Sequence, residues 1–375
     1  NMESDLPYID PEVLASLKAV VIVGNKTNND SDRAIIKNLV DPDNPFIISN
    51  AAFKLNSGFG KYEEDFTDWR IYPNIKVTDS VVTTDGNFKS SWFIYKHSSE
   101  SKINEMNIKV SGIPKGGKIL YFYISDETAN MPIAYTIPKD GIYHLPESKI
   151  NNNRASVGFT VESSYDWNNI RIEQIPSFEG AFVTDGVNDM ITSTKTVQEM
   201  LGGSNEITVV SLITHISGTG KYNIIGDGGI QVSDYSGQTF MAGTSSSGEK
   251  IVELGDKEKL QAVQYTTFDS KLTIGLEDSS YAYYGTFVFN KENVPVDWIH
   301  QVIAYFNLDR TLKPDILCNT IKQGITNENH AEFGDKLIDY SGNGRDIQLN
   351  NIAWDGDSGI GKYNYPNWKV NVTRG

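Results

Sequence analysis

The chain is almost devoid of cysteine. Cys318 stands alone among 375 residues, which excludes an intrachain disulfide and any zinc site built on several thiolates. Long apolar runs are missing too. No stretch of 18 apolar residues occurs, so a transmembrane helix is excluded and no membrane insertion is expected. Positive charge is in deficit, with 33 Lys and Arg against 48 Asp and Glu and a net charge of −15. Nucleic-acid affinity rests on neutralising phosphates, so no nucleic-acid partner is expected. The acidic excess is spread along the chain and reads first as a solubilising surface. The start, Asn1-Met2-Glu3-Ser4, lacks a basic region followed by an apolar one, so no signal peptide is legible; a processed start reads the same.

Catalytic signatures are equally scarce. His97, His144, His215, His300 and His330 show no His-x-x-x-His spacing, which argues against a zinc hydrolase. His215 and His300 fall in apolar runs and read as hydrogen-bonded core residues. No Gly-x-Ser-x-Gly elbow occurs. Gly218-Thr219-Gly220-Lys221 lacks the spacing of a phosphate loop and reads as a hairpin turn. A glycosidase needs two carboxylates across a cleft, and the apolar runs 207–216 and 299–306 carry no acid. A non-enzymatic protein is therefore expected, with glycoside hydrolase as a minor alternative.

What the chain has in plenty is aromatic and turn-forming residues. Tyr numbers 19 and Phe 16, with Asn, Asp, Gly and Ser recurring between short apolar runs. That mix favours strands joined by tight turns. Residues 76–176 alternate apolar and polar positions in short runs, such as Ile108-Lys109-Val110 and Val157-Gly158-Phe159-Thr160-Val161, separated by turn signals including Asp85-Gly86 and Asp140-Gly141. This spacing suits a small sandwich or jelly roll that ends at Ile175-Pro176. A second β pattern follows, in which residues 207–216 read as a long, mostly apolar strand and residues 283–289 and 299–306 as strands buried on both faces or in the sandwich centre. Helices are predicted over 311–323, capped by Thr311, and over Pro11 to Ala19, capped by Asp10.

The sequence also repeats itself. Ser57-Gly58-Phe59-Gly60-Lys61-Tyr62 returns as Ser358-Gly359-Ile360-Gly361-Lys362-Tyr363, at an offset of 301 residues (Gly58 to Gly359). Asn50-Ala51-Ala52-Phe53 pairs with Asn351-Ile352-Ala353-Trp354, and Trp69 with Trp368. Upstream, Pro11-Glu12-Val13-Leu14 pairs with Pro314-Asp315-Ile316-Leu317. The pattern implies a module of about 300 residues whose tail is present twice. Trp69 and Trp368 read as structural core.

Phe182-Val183-Thr184-Asp185-Gly186-Val187-Asn188-Asp189-Met190 resembles the opening hairpin of laminin-G-like, concanavalin A-like lectin domains. Leu308-Asp309-Arg310-Thr311-Leu312 and the loop Asp339-Tyr340-Ser341-Gly342-Asn343-Gly344-Arg345-Asp346 are similar to that family's closing features. Thr184, Asn188 and Met190 depart from the family pattern. The module order resembles adhesin-like structural proteins of Bacteroidetes and their phages. The fold expected is all-β: a jelly-roll-type sandwich followed by a concanavalin A-like sandwich, with short helices. The expected boundaries are a repeat tail over residues 1–75, the first sandwich over 76–176, the second over 177–350 and a repeat end over 351–375.

Ring faces stack on sugar C–H surfaces, so Tyr281, Tyr283, Tyr222 and Tyr235 are the ligand-binding candidates, with core or sheet-surface packing as the plain alternative. Asp339, Asn343 and Asp346 offer oxygens for calcium in a Gly-rich loop; Asx-turns to their own backbone are the alternative. The same choice applies to Asp185 and Asp189 beside a hairpin turn. The resemblance implies a surface-binding module outside the cell, on a cell surface or virion, that recognises a glycan or another surface ligand. A homo-oligomer is compatible with it. A fibre spacer without ligand is the competing reading.

Overall fold

The computed structural model describes residues 9–360 apart from 87, 89, 99–101, 126–130, 150–154, 219–220, 226–227, 233–236, 238, 249–250, 254–259, 263, 265, 267, 276–277, 307–315, 342–343 and 356–357. The architecture is all-β with short helices. The chain forms two units. The larger is Lys18–Glu292; the smaller joins residues up to Leu17 to the chain from Asn293 onward.

The larger unit begins with four short strands: β1 (Leu17–Ile22), β2 (Ile35–Ile36), β3 (Phe46–Ser49) and β4 (Gly58–Phe59). They do not form a body of their own. β2 pairs with β3, and β1, β3 and β4 each pair with a strand more than a hundred residues later.

The first sandwich follows directly: β5 (Arg70–Ile71), β6 (Ile75–Val77), β7 (Val81–Thr84), β8 (Trp92–His97), β9 (Met106–Ser111), β10 (Ile119–Tyr123), β11 (Ile133–Ile137), β12 (Gly141–Leu145), β13 (Ser156–Val161) and β14 (Arg171–Gln174). Its two sheets run β11-β10-β13-β8-β5 and β12-β9-β14-β7-β6. Without the short edges β5 and β6 this is the jelly-roll order of eight strands. Alternation makes it close. Met106, Ile108 and Val110 of β9 point inward while Asn107 and Lys109 point out. Trp69, Phe93, Tyr121, Phe159 and Trp167 fill the middle, and Trp69 is core as expected. Glycine is required at 158, where φ is +138° and a Cβ would strike the Ile94 carbonyl across a bulge between β13 and β8.

The second sandwich has two seven-stranded sheets. Its later strands are β15 (Phe182–Val183), β16 (Met190–Thr196), β17 (Thr208–Gly218), β18 (Lys221–Ile225), β19 (Gly228–Val232), β20 (Thr239–Ser245), β21 (Ile251–Glu253), β22 (Leu260–Ala262), β23 (Lys271–Gly275) and β24 (Ser279–Phe289). One sheet runs β21-β20-β17-β24-β15-β4, with β1 also on β24; the other runs β2-β3-β16-β23-β18-β19-β22. Helix α1 (Pro11–Ser16) precedes the strands, and α2 (Val197–Leu201) follows β16 through a capping box of Thr196 and Glu199. The N-terminal strands therefore complete both sheets. Ser49, Ile48, Ile47 and Phe46 pair in order with Met190, Ile191, Thr192 and Ser193. Phe59 pairs with Phe182. The Val23 N–H donates to the Tyr284 carbonyl. Phe46, Ile48 and Phe59 are buried in one core with Phe182, Ile191, Ile213 and Val288.

The smaller unit holds α3 (Val296–Tyr305), α4 (Thr320–Gln323) and a hairpin of β25 (Lys336–Leu337) and β26 (Ile347–Gln348). The Asp10 N–H donates to Gln301 Oε1 at 2.8 Å, and Gln301 Nε2 donates back to Asp10 Oδ2 at 2.9 Å.

Several expectations need correction. The run 299–306 is helix α3, not a strand: Pro295 starts it and the buried Ile299 and Val302 sit one helical turn apart. His300 is consequently on an exposed helix face, whereas His215 in β17 is buried. The helix from Pro11 stops at Ser16, and Leu17 onward is strand. Of the helix predicted over 311–323, residues 311–315 lie outside the described residues, Ile316 and Leu317 are not helical, and α4 covers Thr320–Gln323. Trp368 also lies outside the described residues. The second sandwich is not the block 177–350: it takes strands from residues 17–59, and the chain from Asn293 belongs to the smaller unit.

Phe46 is wholly buried and Ile347 is 41% exposed. Urea denaturation of Phe46→Ala is expected to show a loss of about 3–5 kcal/mol, and that of Ile347→Ala a change within about 0.5 kcal/mol.

Candidate functional site

The candidate site is a cleft in the larger unit, where the N-terminal strand segment meets the jelly roll. Its volume is about 690 Å³. Its apolar lining is Ile71, Ile75, Val77 and Val81; its polar lining includes Asn28 and Asn29 of the N-terminal segment and Tyr62, Asp79, Arg171 and Glu173. Local strand geometry places them. Thr83 and Arg171 are opposite partners in β7 and β14, so their side chains leave the same face.

Hydrogen bonds hold the polar wall in place. Asn28 Nδ2 donates to Asp79 Oδ2 at 2.9 Å, and Asn29 Nδ2 to Asp79 Oδ1 at 3.2 Å. Asn28 Oδ1 accepts from the Phe59 N–H at 2.7 Å. Arg33 Nη1 donates to the Asn28 carbonyl at 2.7 Å and lies over the Phe53 ring at 4.7 Å. Arg171 Nε donates to Glu173 Oε2 at 3.3 Å. Burial pushes the Tyr62 phenol above its ordinary value, so the hydroxyl stays protonated and can donate or accept. The cleft thus presents amides, hydroxyls, Lys76 and the Arg171–Glu173 pair beside apolar side chains, groups that can orient a polar organic ligand.

The sequence alone does not bring these residues together. Asn28-Asn29 and Thr78-Asp79-Ser80 are short polar runs about fifty positions apart, and each reads locally as a turn. The signal that could have marked them is that both polar runs adjoin apolar strands that must pair elsewhere.

The tyrosine candidates are placed differently. Tyr281 and Tyr283 lie in β24 at 1% and 0% exposure, inside the second sandwich. Tyr283 Oη is hydrogen-bonded to Thr286 Oγ1 at 2.6 Å. Burial pushes both phenols far above their ordinary value. A ring enclosed by core atoms has no face for a sugar, so both leave the candidate list. Tyr222 is in β18, and Tyr235 lies outside the described residues.

Asp339 and Asp346, two of the calcium candidates, accept hydrogen bonds within their own loop. Asp339 Oδ1 accepts from the Leu317 and Ser341 N–H groups, both at 2.9 Å; Oδ2 accepts from the Arg345 N–H at 2.9 Å and the Ser341 hydroxyl at 2.8 Å. Those donors hold the carboxyl well below the usual carboxylate range. Asp346 Oδ1 accepts from the Asp339 N–H at 3.0 Å, and Asn343 lies outside the described residues. Asp185 Oδ1 accepts from the Val187 N–H, an Asx-turn. Asp189 is buried and accepts from the Asp185 N–H and the Ser57 hydroxyl. Among the described residues no group of three or more His, Cys, Asp or Glu is placed to hold a metal ion, and no helix is long and apolar enough to cross a membrane.

Comparisons with protein-family models, with curated proteins and with solved structures returned no match.

Two outcomes follow from these placements. Tyr281→Ala and Tyr283→Ala should each cost about 3–5 kcal/mol of stability, read by thermal and urea unfolding. The Asp339 carboxyl sits below its unfolded value, so its contribution is complete above the ordinary carboxylate range and fades as pH falls through the folded value. Asp339→Asn should speed amide exchange at Leu317, Ser341 and Arg345 at neutral pH, and the difference from the parent should shrink in acid.

Proposed function

We propose that this protein is a non-enzymatic, surface-binding β-sandwich module that recognises a glycan in the cleft between its N-terminal strand segment and the jelly roll. The observation that carries the reading is the cleft's lining. Side-chain amides, hydroxyls and the Arg171–Glu173 pair offer directional partners for sugar hydroxyls, while Ile71, 49% exposed, offers apolar surface for C–H faces. The carboxylates there are committed: Asp79 accepts from two amides and Glu173 from Arg171. The resemblance of residues 182–190 and 339–346 to laminin-G-like domains points the same way, to an adhesin-like component of a bacterial surface or phage particle. A fibre spacer is the second reading, and the duplicated tail segment favours it.

Screening on a glycan array tests the proposal. Specific binding is expected, with Arg171→Ala weakening it at least tenfold and Thr83→Trp, which fills the cleft, removing it. Binding that is unaffected by both variants, or hydrolysis of the bound glycan, would contradict it.

A further inference from the structure

The two tail segments share one backbone design. The β2–β3 register, Ile35 with Ile47 and Ile36 with Phe46, recurs in β25–β26 as Lys336 with Gln348 and Leu337 with Ile347. The isolated bridge Lys54–Ser57 recurs as Asp355–Ser358, and Val21–Asn38 as Cys318–Asp339. Positive φ at Asn50 and Phe53 recurs at Asn351 and Trp354. The Ala52 N–H donates to Ser57 Oγ at 2.9 Å, and the Ala353 N–H to Ser358 Oγ at 3.0 Å. Phe59 N–H to Asn28 Oδ1 and Ile360 N–H to Asn327 Oδ1 are both 2.7 Å. Leu317 donates to Asp339 as Val20 donates to Asn38. The structural partner of Leu317 is therefore Val20, and the upstream sequence match to Leu14 is not an equivalence.

The copies differ in what covers them. In the first, Ala19, Ile36 and Phe46 are each 0% exposed in the core shared with Phe182, Ile191 and Val288, and Val20, on the other face of its strand, is 0% exposed as well. In the second, the equivalents Ile316, Leu317 and Ile347 are 46%, 46% and 41% exposed, and Leu337 is only half-buried. Every one of these positions stays apolar in the uncovered copy. Isolated apolar residues at a surface need no explanation, but a set that matches a docked duplicate position by position marks a contact surface.

We propose that the C-terminal segment, residues 316–360, is a docking segment for a second copy of this chain, whose sandwich takes it at the edges of β24, β15 and β16 in place of that copy's own residues 19–59. The interaction is strand exchange, with backbone hydrogen bonds to the strand edges that residues 19–59 vacate and apolar side chains entering the core. The contact is head-to-tail, so it propagates as a filament unless it closes into a ring. The proposal does not depend on the cleft or on its ligand.

Two full-length proteins test it. In an acceptor, Phe46→Asp and Ile48→Asp release the resident segment; the unaltered chain is the donor. Sedimentation of the mixture should show a heavier species containing both, lost when the donor carries Leu317→Asp and Ile347→Asp. Donor and acceptor sedimenting apart, or a heavier species that survives the donor substitutions, would overturn the proposal. Should the acceptor fail to fold, a chimaera decides: the full chain with residues 19–59 replaced by residues 316–360. It should unfold in one cooperative transition that Ile347→Asp in the graft abolishes. A chimaera that never folds overturns the fit.

Discussion

The second sandwich depends on filling open sheet edges with strands from far away in sequence. β15, β16 and β24 each leave a row of backbone N–H and C=O groups that must be paired once buried. Residues 17–59 supply the partners: β1 on β24, β3 on β16 and β4 on β15. The same strands carry Phe46, Ile48 and Phe59 into the core. Pairing and burial reinforce each other, because a one-residue slip would turn these side chains to the wrong face.

Polar groups inside this body serve the connections. Buried Asp189 ties the β15–β16 turn to Ser57 of the docked segment. Asn44 Oδ1 accepts from the Thr194 and Lys195 N–H groups, anchoring the start of β3 beside β16. Asn28 bonds Phe59 on one side and Asp79 on the other, and so joins the docked segment to the jelly roll. In the smaller unit Asp339 gathers its own loop in the same manner. Asp185, Asp189, Asp339 and Asp346 each accept from backbone donors, as short Asp side chains in turns commonly do.

The β class, the jelly-roll segment and most long strands were legible, because period-two alternation and turn residues are local signals. β9, β17 and β24 fall where the alternating or apolar runs stood. Residues 299–306 misled because a short apolar run looks alike in a buried strand and a buried helix; length and Pro295 decide for helix. Tyr281 and Tyr283, two residues apart in β24, both enter the core, and which face of a strand meets solvent depends on the opposing sheet. The repeat was visible, yet its meaning was not, since nothing local says that one copy is covered. The cleft is non-local in the same sense: Asn28, Asp79 and Arg171 meet only after the sandwiches close.

Native-state hydrogen exchange tests the central claim, that residues 17–59 are integral strands of the second sandwich, most directly. The account predicts that amides of β3 and β16 exchange together with those of β17 and β24, at the free energy of global unfolding. Exchange of β1, β3 and β4 orders of magnitude faster than β17 and β24 would contradict it, by showing a segment that merely rests on an otherwise complete fold.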